Sequence, residues 1–274
     1  MIKDITLGQF YPGNSLIHRL DPRIKILWTL FYIVLLFFVK NAIGFGFYIV
    51  ATVIIIALTK IKPSFIIKGL KPILFLLLFT AAINIFMTGE TPLFKIGFLT
   101  ATKEGVIFAI FMAIRLTLLV IGTSVLTFTT SPIMLTDGIE RLLAPFSKIG
   151  VPAHAIAMMM TIALRFIPTI MEETDKIMKA QSARGADFES GNIIKRAKAM
   201  TPLLIPLFIS AFRRADELAT AMECRGYHGG EGRTRLKQLK MGKIDFVSLA
   251  VMVLFLLAIV FLNQINLWMH FYII

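Results

Sequence analysis

Five stretches of this chain are candidates for crossing a lipid bilayer, the first two of them short, and nothing else in the sequence limits the fold as strongly. A hydrocarbon core about 30 Å thick takes about 20 apolar residues as a helix. The candidate spans are residues 24–39, 42–59, 70–87, 105–129 and 246–270. Composition agrees: 57% of the residues are hydrophobic and 16% are charged, against about 45–50% and about 25% in soluble domains. The expected class is an all-α, polytopic membrane protein.

The first two candidates are separated only by Lys40 and Asn41, so they could be one bent segment or two spans. Charge decides. With two spans, Lys3, Arg19, Arg23 and Lys25 share a side with Lys60, Lys62, Lys68 and Lys71, while the opposite side receives only Lys40, Lys95 and Lys103. Residues 131–244, with 17 Lys plus Arg, join the crowded side. Lys and Arg collect in cytoplasmic loops, so two spans are expected, with the amino terminus cytoplasmic and the carboxyl terminus outside the cell. The net charge of +13 is explained by that orientation, and nucleic-acid binding is not expected.

Residues 131–244 form a second organisational unit. Ser131-Pro132 and Thr201-Pro202 each place a hydroxyl before a proline, the pattern of a capped helix start. Residues 153–183 lack glycine, 203–224 are similar, and Pro168 and Pro206 should bend these helices without ending them. Both are long enough to span. The first, however, carries Arg165, Glu172, Glu173, Asp175, Lys176 and Lys179, and the second Arg213, Arg214, Asp216, Glu217 and Glu223. A central charge costs about 2.5–3.5 kcal/mol in a bilayer. The expectation is therefore amphipathic helices, apolar halves at or within the bilayer and carboxyl-terminal halves projecting into the cytoplasm. Between them, residues 185–200 read as a turn and a short basic piece with Lys195, Arg196 and Lys198.

Each long helix ends in an arginine-glycine pair, and the surroundings echo at a constant offset: Asp175, Ala180, Arg184 and Gly185 against Asp216, Ala221, Arg225 and Gly226. Glycine past a helix end and a cation in the last turn are ordinary terminators. Repetition, with small residues Ala183 and Cys224 before the arginines, points further. A guanidinium presents five donors in a fixed fork, and on a projecting helix end it can enter a groove on a partner. Ala211, Ala215 and Ala219 share one helical face, where small side chains allow close approach. Ordinary helix propensity would also supply alanine there. Nine of the 14 methionines fall within 131–244, including Met158 and Met159; beside core packing, a deformable surface for several partners is the alternative. Arg115 and Asn84, inside spans, suggest interhelical hydrogen bonds.

No glycine-rich phosphate loop, nucleophile-base arrangement or His/Cys cluster with metal spacing is present, so neither catalysis nor a cofactor is expected. Cys224, the one cysteine, has no internal disulfide partner. An intramembrane enzyme lacks its polar residues. A self-sufficient secondary transporter should show repeat symmetry across its membrane halves, and here the echo is confined to residues 131–244.

The stretch Gly8-Gln9-Phe10-Tyr11-Pro12-Gly13-Asn14-Ser15, with Ile17-His18-Arg19-Leu20-Asp21-Pro22-Arg23-Ile24-Lys25, resembles the start of the transmembrane T component of energy-coupling factor (ECF) transporters. Residues Gln181 to Phe188 and Phe212 to Tyr227 resemble that family too. Cys224 stands where the family usually has alanine. The resemblance implies about five transmembrane helices plus long crossing cytoplasmic coupling helices, in a multi-pass protein of the plasma membrane. Residues 1–130 would hold transmembrane helices 1–4, residues 131–244 the coupling helices and residues 245–274 the last span. It implies that Ala183-Arg184-Gly185 and Cys224-Arg225-Gly226 each dock one of two cytoplasmic ABC-type ATPase subunits. Ala211, Ala215, Ala219, Met158 and Met159 would serve the helix crossing or contact a membrane-embedded S component, which captures a vitamin or metal ion. This chain would couple ATP hydrolysis to reorientation of that component without itself hydrolysing ATP.

Overall fold

The computed structural model describes residues 10–39, 41–87, 92–96, 99–188, 192, 194, 198–229 and 239–268. Lys3, Gly8, Gln9, Lys40, Lys195 and Arg196, used above, and residues 269–270 of the last candidate span lie outside them. Two compact units emerge, one from Gly8–Gly138 with Leu239–Ile274 and one within Ile139–Gln238.

The first unit opens with a short helix α1 (Leu16–Arg19), then α2 (Pro22–Phe38) and α3 (Ala42–Thr59). These are two helices, as the charge argument required. Tyr32 and Tyr48 meet edge-to-face at 5.2 Å between ring centres, and the Tyr32 hydroxyl reaches the Thr52 hydroxyl at 2.8 Å, so α3 folds back along α2. The chain continues through α4 (Pro63–Leu70) and α5 (Leu74–Met87), joined by a 3-10 turn at Lys71–Ile73 where Pro72 has no N–H to give. An antiparallel hairpin, β1 (Pro92–Ile96) and β2 (Leu99–Thr102), is an exception to the all-α expectation. Next come α6 (Lys103–Thr129), capped by the Thr102 hydroxyl on Gly105 N–H at 3.1 Å, and α7 (Pro132–Leu143). Ser131 caps α7 as expected, its hydroxyl accepting from Met134 N–H at 3.4 Å.

Tyr32, Leu36, Phe45, Tyr48, Leu118, Phe255 and Ile259 form the core between α2, α3, α6 and the last helix, named α10 below. The tyrosine hydroxyls there find main-chain acceptors, Tyr32 on Leu118 and Tyr48 on Tyr32, both at 3.2 Å. Outside the core the surface stays apolar, with Phe75 77%, Leu78 64% and Leu254 64% exposed. A soluble protein rarely shows such continuous apolar patches; lipid is the solvent that suits them.

Both ends of this bundle are tied by polar contacts. At the α2–α3 turn, the Asn41 carbonyl caps α3 by accepting from Gly44 N–H at 2.7 Å, and its amide donates to Leu262 O at 3.0 Å. The Asn263 amide donates to Phe38 O at 3.0 Å and the Arg115 guanidinium to Val39 O at 2.9 Å. Arg115 thus makes the interhelical bond expected of it, at the negative end of α2. Asn84 does not, since its amide donates to Thr80 O one turn back in its own helix. At the other end, Asp21 N–H donates to Asp245 Oδ1 at 2.8 Å, and the buried Lys25 ammonium donates to His18 O and Thr129 O.

The second unit holds α8 (Ala153–Ala183) and α9 (Thr201–Cys224); α10 (Lys243–Trp268) belongs to the first. Both long helices run through their internal prolines, Pro168 and Pro206. Thr201 is not a cap. It is the first helical residue of α9, Pro202 is the second, and Met200 occupies the cap with no side-chain bond.

Among the described residues, five helical segments are long and apolar enough to cross a membrane: Ala42–Thr59, Pro63–Phe86, Lys103–Thr129, Ala153–Ala183 and Lys243–Gln264. The number matches the expectation; the membership differs. Helix α2, with 17 residues, is about 25 Å long at about 1.5 Å per residue. Ala153–Ala183 qualifies because Arg165 is the only Lys, Arg, Asp or Glu in its first eighteen residues, the charges gathering after Ile170.

Candidate functional site

The two arginine-glycine ends fold into the same cap. Helix α8 closes with Gly185 N–H on Ser182 O and Ala186 N–H on Gln181 O, both at 3.0 Å. Helix α9 closes with Gly226 N–H on Glu223 O at 2.9 Å and Tyr227 N–H on Met222 O at 3.0 Å. In each, a 5→2 bond lies inside a 6→1 bond, the Schellman arrangement. Arg184 and Arg225 have nearly identical dihedrals, φ −89°, ψ 5° and φ −90°, ψ 8°. The glycines carry the left-handed turn, at φ +90° and +72°, which an L side chain adopts only at a cost.

Ala183, Arg184, Gly185, Cys224, Arg225 and Gly226 are all exposed. Among the described residues neither guanidinium has an ion pair or hydrogen bond within the chain. Their charge is therefore available to a partner, while four backbone bonds fix the helix ends that carry it.

The helices that present these ends meet at a polar cluster. Glu173 of α8 accepts from the Ser210 hydroxyl at 2.5 Å and from Arg214 Nη2 at 2.8 Å and Nε at 3.2 Å. Nearer the end of α8, the Gln181 amide approaches Pro202 O at 3.5 Å. Contact thus moves toward the end of α8 as it moves toward the start of α9, so the helices run antiparallel. The carboxyl-terminal halves do not project side by side; they leave the crossing in opposite directions. Arg184 follows Glu173 by eleven residues and Arg225 follows Arg214 by eleven, an arm of about 16 Å each.

On α9 the faces separate cleanly. Leu203, Leu207, Ser210, Arg214, Leu218 and Met222 are buried or half-buried and recur at helical spacing. Ala211, Ala215 and Ala219 are exposed, one step around the helix. The crossing contacts come from Ser210 and Arg214 and not from this alanine stripe. Leu204, Phe208 and Phe212 are 60%, 66% and 58% exposed, and the two phenylalanines pack edge-to-face at 4.9 Å. At about 100° per residue they share their face with the alanines, so the stripe prolongs an unpartnered apolar surface. On α8, Met158 is half-buried and Met159 is 59% exposed.

Sequence reading missed Ser210 and Glu173. The signal was present in the echo itself: at the 41-residue offset, Glu173 falls on Arg214.

The profile of the cobalt transport protein family CbiQ matches residues 13–236. The chain belongs to the CbiQ/EcfT family. It is 63% identical over 262 residues to an energy-coupling factor transporter transmembrane protein EcfT of Clostridium kluyveri, covering 94% of this chain and 97% of that protein. Identity to the EcfT protein of Ruminiclostridium cellulolyticum is 55%, covering 97% and 99%. For the EcfT protein of Bacillus subtilis it is 48%, covering 93% and 97%. Membership makes this chain a transmembrane energy-coupling component of an ECF transporter.

Proposed function

We propose that this chain is the non-catalytic scaffold of an ECF-type importer of a vitamin or metal ion, coupling two cytoplasmic ABC-type ATPase subunits to a membrane-embedded S component. Arg184 and Arg225 each anchor one ATPase, flanked by Ala183 and Gly185 and by Cys224 and Gly226. The observation that carries this reading is the pair of superposable caps with unpartnered guanidiniums, held on opposite arms of one helix crossing. Two similar grooves on two similar subunits are the complement of that arrangement.

The apolar face of α9 from Leu204 through Phe212 to Ala215 and Ala219, with Met158 and Met159 of α8, receives the S component. Residues 1–130 and 245–274 supply the membrane helices and 131–244 the coupling helices. The amino terminus and both arginine ends face the cytoplasm, and the carboxyl terminus lies outside the plasma membrane.

The experiment replaces both anchors, Arg184→Ala with Arg225→Ala, in the complete transporter. ATPase subunits should be lost on purification, or ATP hydrolysis should proceed without uptake. Each single replacement should do less, because the other anchor remains. Undiminished uptake and unchanged ATPase retention in the double variant would refute the assignment.

A further inference from the structure

The two arms end in the same sequence, but their meeting point breaks the repeat. At the offset that aligns Asp175 with Asp216 and Arg184-Gly185 with Arg225-Gly226, Glu172-Glu173 aligns with Arg213-Arg214. The two helices run antiparallel, and at their crossing the contact joins two positions that the echo makes equivalent, Glu173 and Arg214. An unbroken repeat would set two glutamates or two arginines against each other, and like charges in contact are destabilising. The sequence reverses charge at the position where identity would be repulsive, and the reversed pair is in contact at 2.8 Å.

Three features of this contact matter. One carboxylate receives three donors, two from Arg214 and one from Ser210. Among the described residues it is the sole ion pair between the helices. Apolar burial is non-directional, so the buried and half-buried leucines of α9, Leu203, Leu207 and Leu218, hold no fixed register of their own. A triply bonded point permits rotation and resists sliding. Beyond it, residues 174–183 and 215–224 contain no glycine or proline, so each arm toward a cap is an unbroken helix. Pro168 and Pro206 lie on the other side of the contact.

We propose that Glu173, Ser210 and Arg214 are positioning residues that form the pivot of the coupling helices, holding both docking ends at equal arm length while the crossing angle changes. This rests on the docking reading above. A change in separation of the two ATPases then becomes a rotation about a fixed point.

The test uses the complete transporter in proteoliposomes, comparing Glu173→Gln, Arg214→Met and the charge swap Glu173→Arg with Arg214→Glu. Both single variants should retain both ATPases, while uptake per ATP hydrolysed falls about fivefold or more. The swap should recover most of the loss, and Glu173→Asp should lose less than Glu173→Gln. Wild-type coupling in the single variants overturns the proposal. So does a swap that assembles without recovery or fails to assemble. As a second measurement, a short thiol cross-link between Glu173→Cys and Arg214→Cys should leave uptake no lower than in the same variant before cross-linking, with the wild-type chain given the same reagent as the control for Cys224, because rotation about the point survives; uptake abolished by the cross-link and not in the treated wild type also overturns it. If the wild-type chain retains no ATPase, the docking reading fails and the pivot is not what was refuted.

Discussion

Replacing the cap glycines tests the helix ends without touching either arginine. Gly185 stands at φ +90° and Gly226 at +72°, and a methyl group added to either meets nothing within 4 Å. The cost of alanine is therefore conformational alone. A left-handed L-residue costs about 1–2 kcal/mol, and that region is centred near φ +50° to +70°, so Gly185→Ala should cost more than Gly226→Ala. The cost falls on the cap bonds, which open rather than hold the strained turn. About 1–2 kcal/mol raises the open population by a factor of about 5–30. Amide hydrogen exchange on the purified chain reads this directly: protection at Ala186 should drop in Gly185→Ala, and at Tyr227 in Gly226→Ala. Asparagine tolerates the left-handed region, so Gly185→Asn should restore most of the protection. Unaltered exchange in the alanine variants, or asparagine no better than alanine, would refute the argument. ATPase retention should fall in the same order as protection.

Two further outcomes concern the membrane unit. A methyl group on Gly122 would sit 2.3 Å from Tyr32 Cε1, and that ring is tied through its hydroxyl to Thr52 and Leu118. Gly122→Ala should cost about 1–3 kcal/mol by overpacking, seen as a lower unfolding temperature in detergent, and Tyr32→Phe with Gly122→Ala should recover part of it. Lys25→Met removes the donor to His18 O and Thr129 O. Leaving buried acceptors unsatisfied costs about 1–3 kcal/mol, measured as reduced thermal stability with the purified chain still monodisperse.

Local patterns carried much of this fold, and their failures share a cause. Ser131 was legible as a cap because an extended residue, Thr130 at φ −130° and ψ 123°, precedes it. Thr201-Pro202 offers the same letters, but Met200 is already helical at φ −77° and ψ −17°. A hydroxyl caps from an extended position, so the helix starts earlier and the proline moves to the second position. The arginine-glycine ends were readable because a Schellman cap is written in consecutive residues. The alanine stripe was readable as a face, but which neighbour faces it is a tertiary fact; the crossing went to Ser210 and Arg214 one step away. Asn41 with Leu262 and Asp21 with Asp245 pair residues more than two hundred positions apart. No window on the sequence contains both.

The bond from Asp21 to Asp245 sets a timetable for biogenesis. Residues 21 and 245 are separated by 224 positions, and ribosomes add about 5–20 residues per second. For roughly 10 to 45 s the beginning of the nascent chain waits at the membrane without its last ligand. The contact can form only once α10 has been made, so a chain stalled before that point leaves the Asp21 N–H without the Asp245 carboxylate.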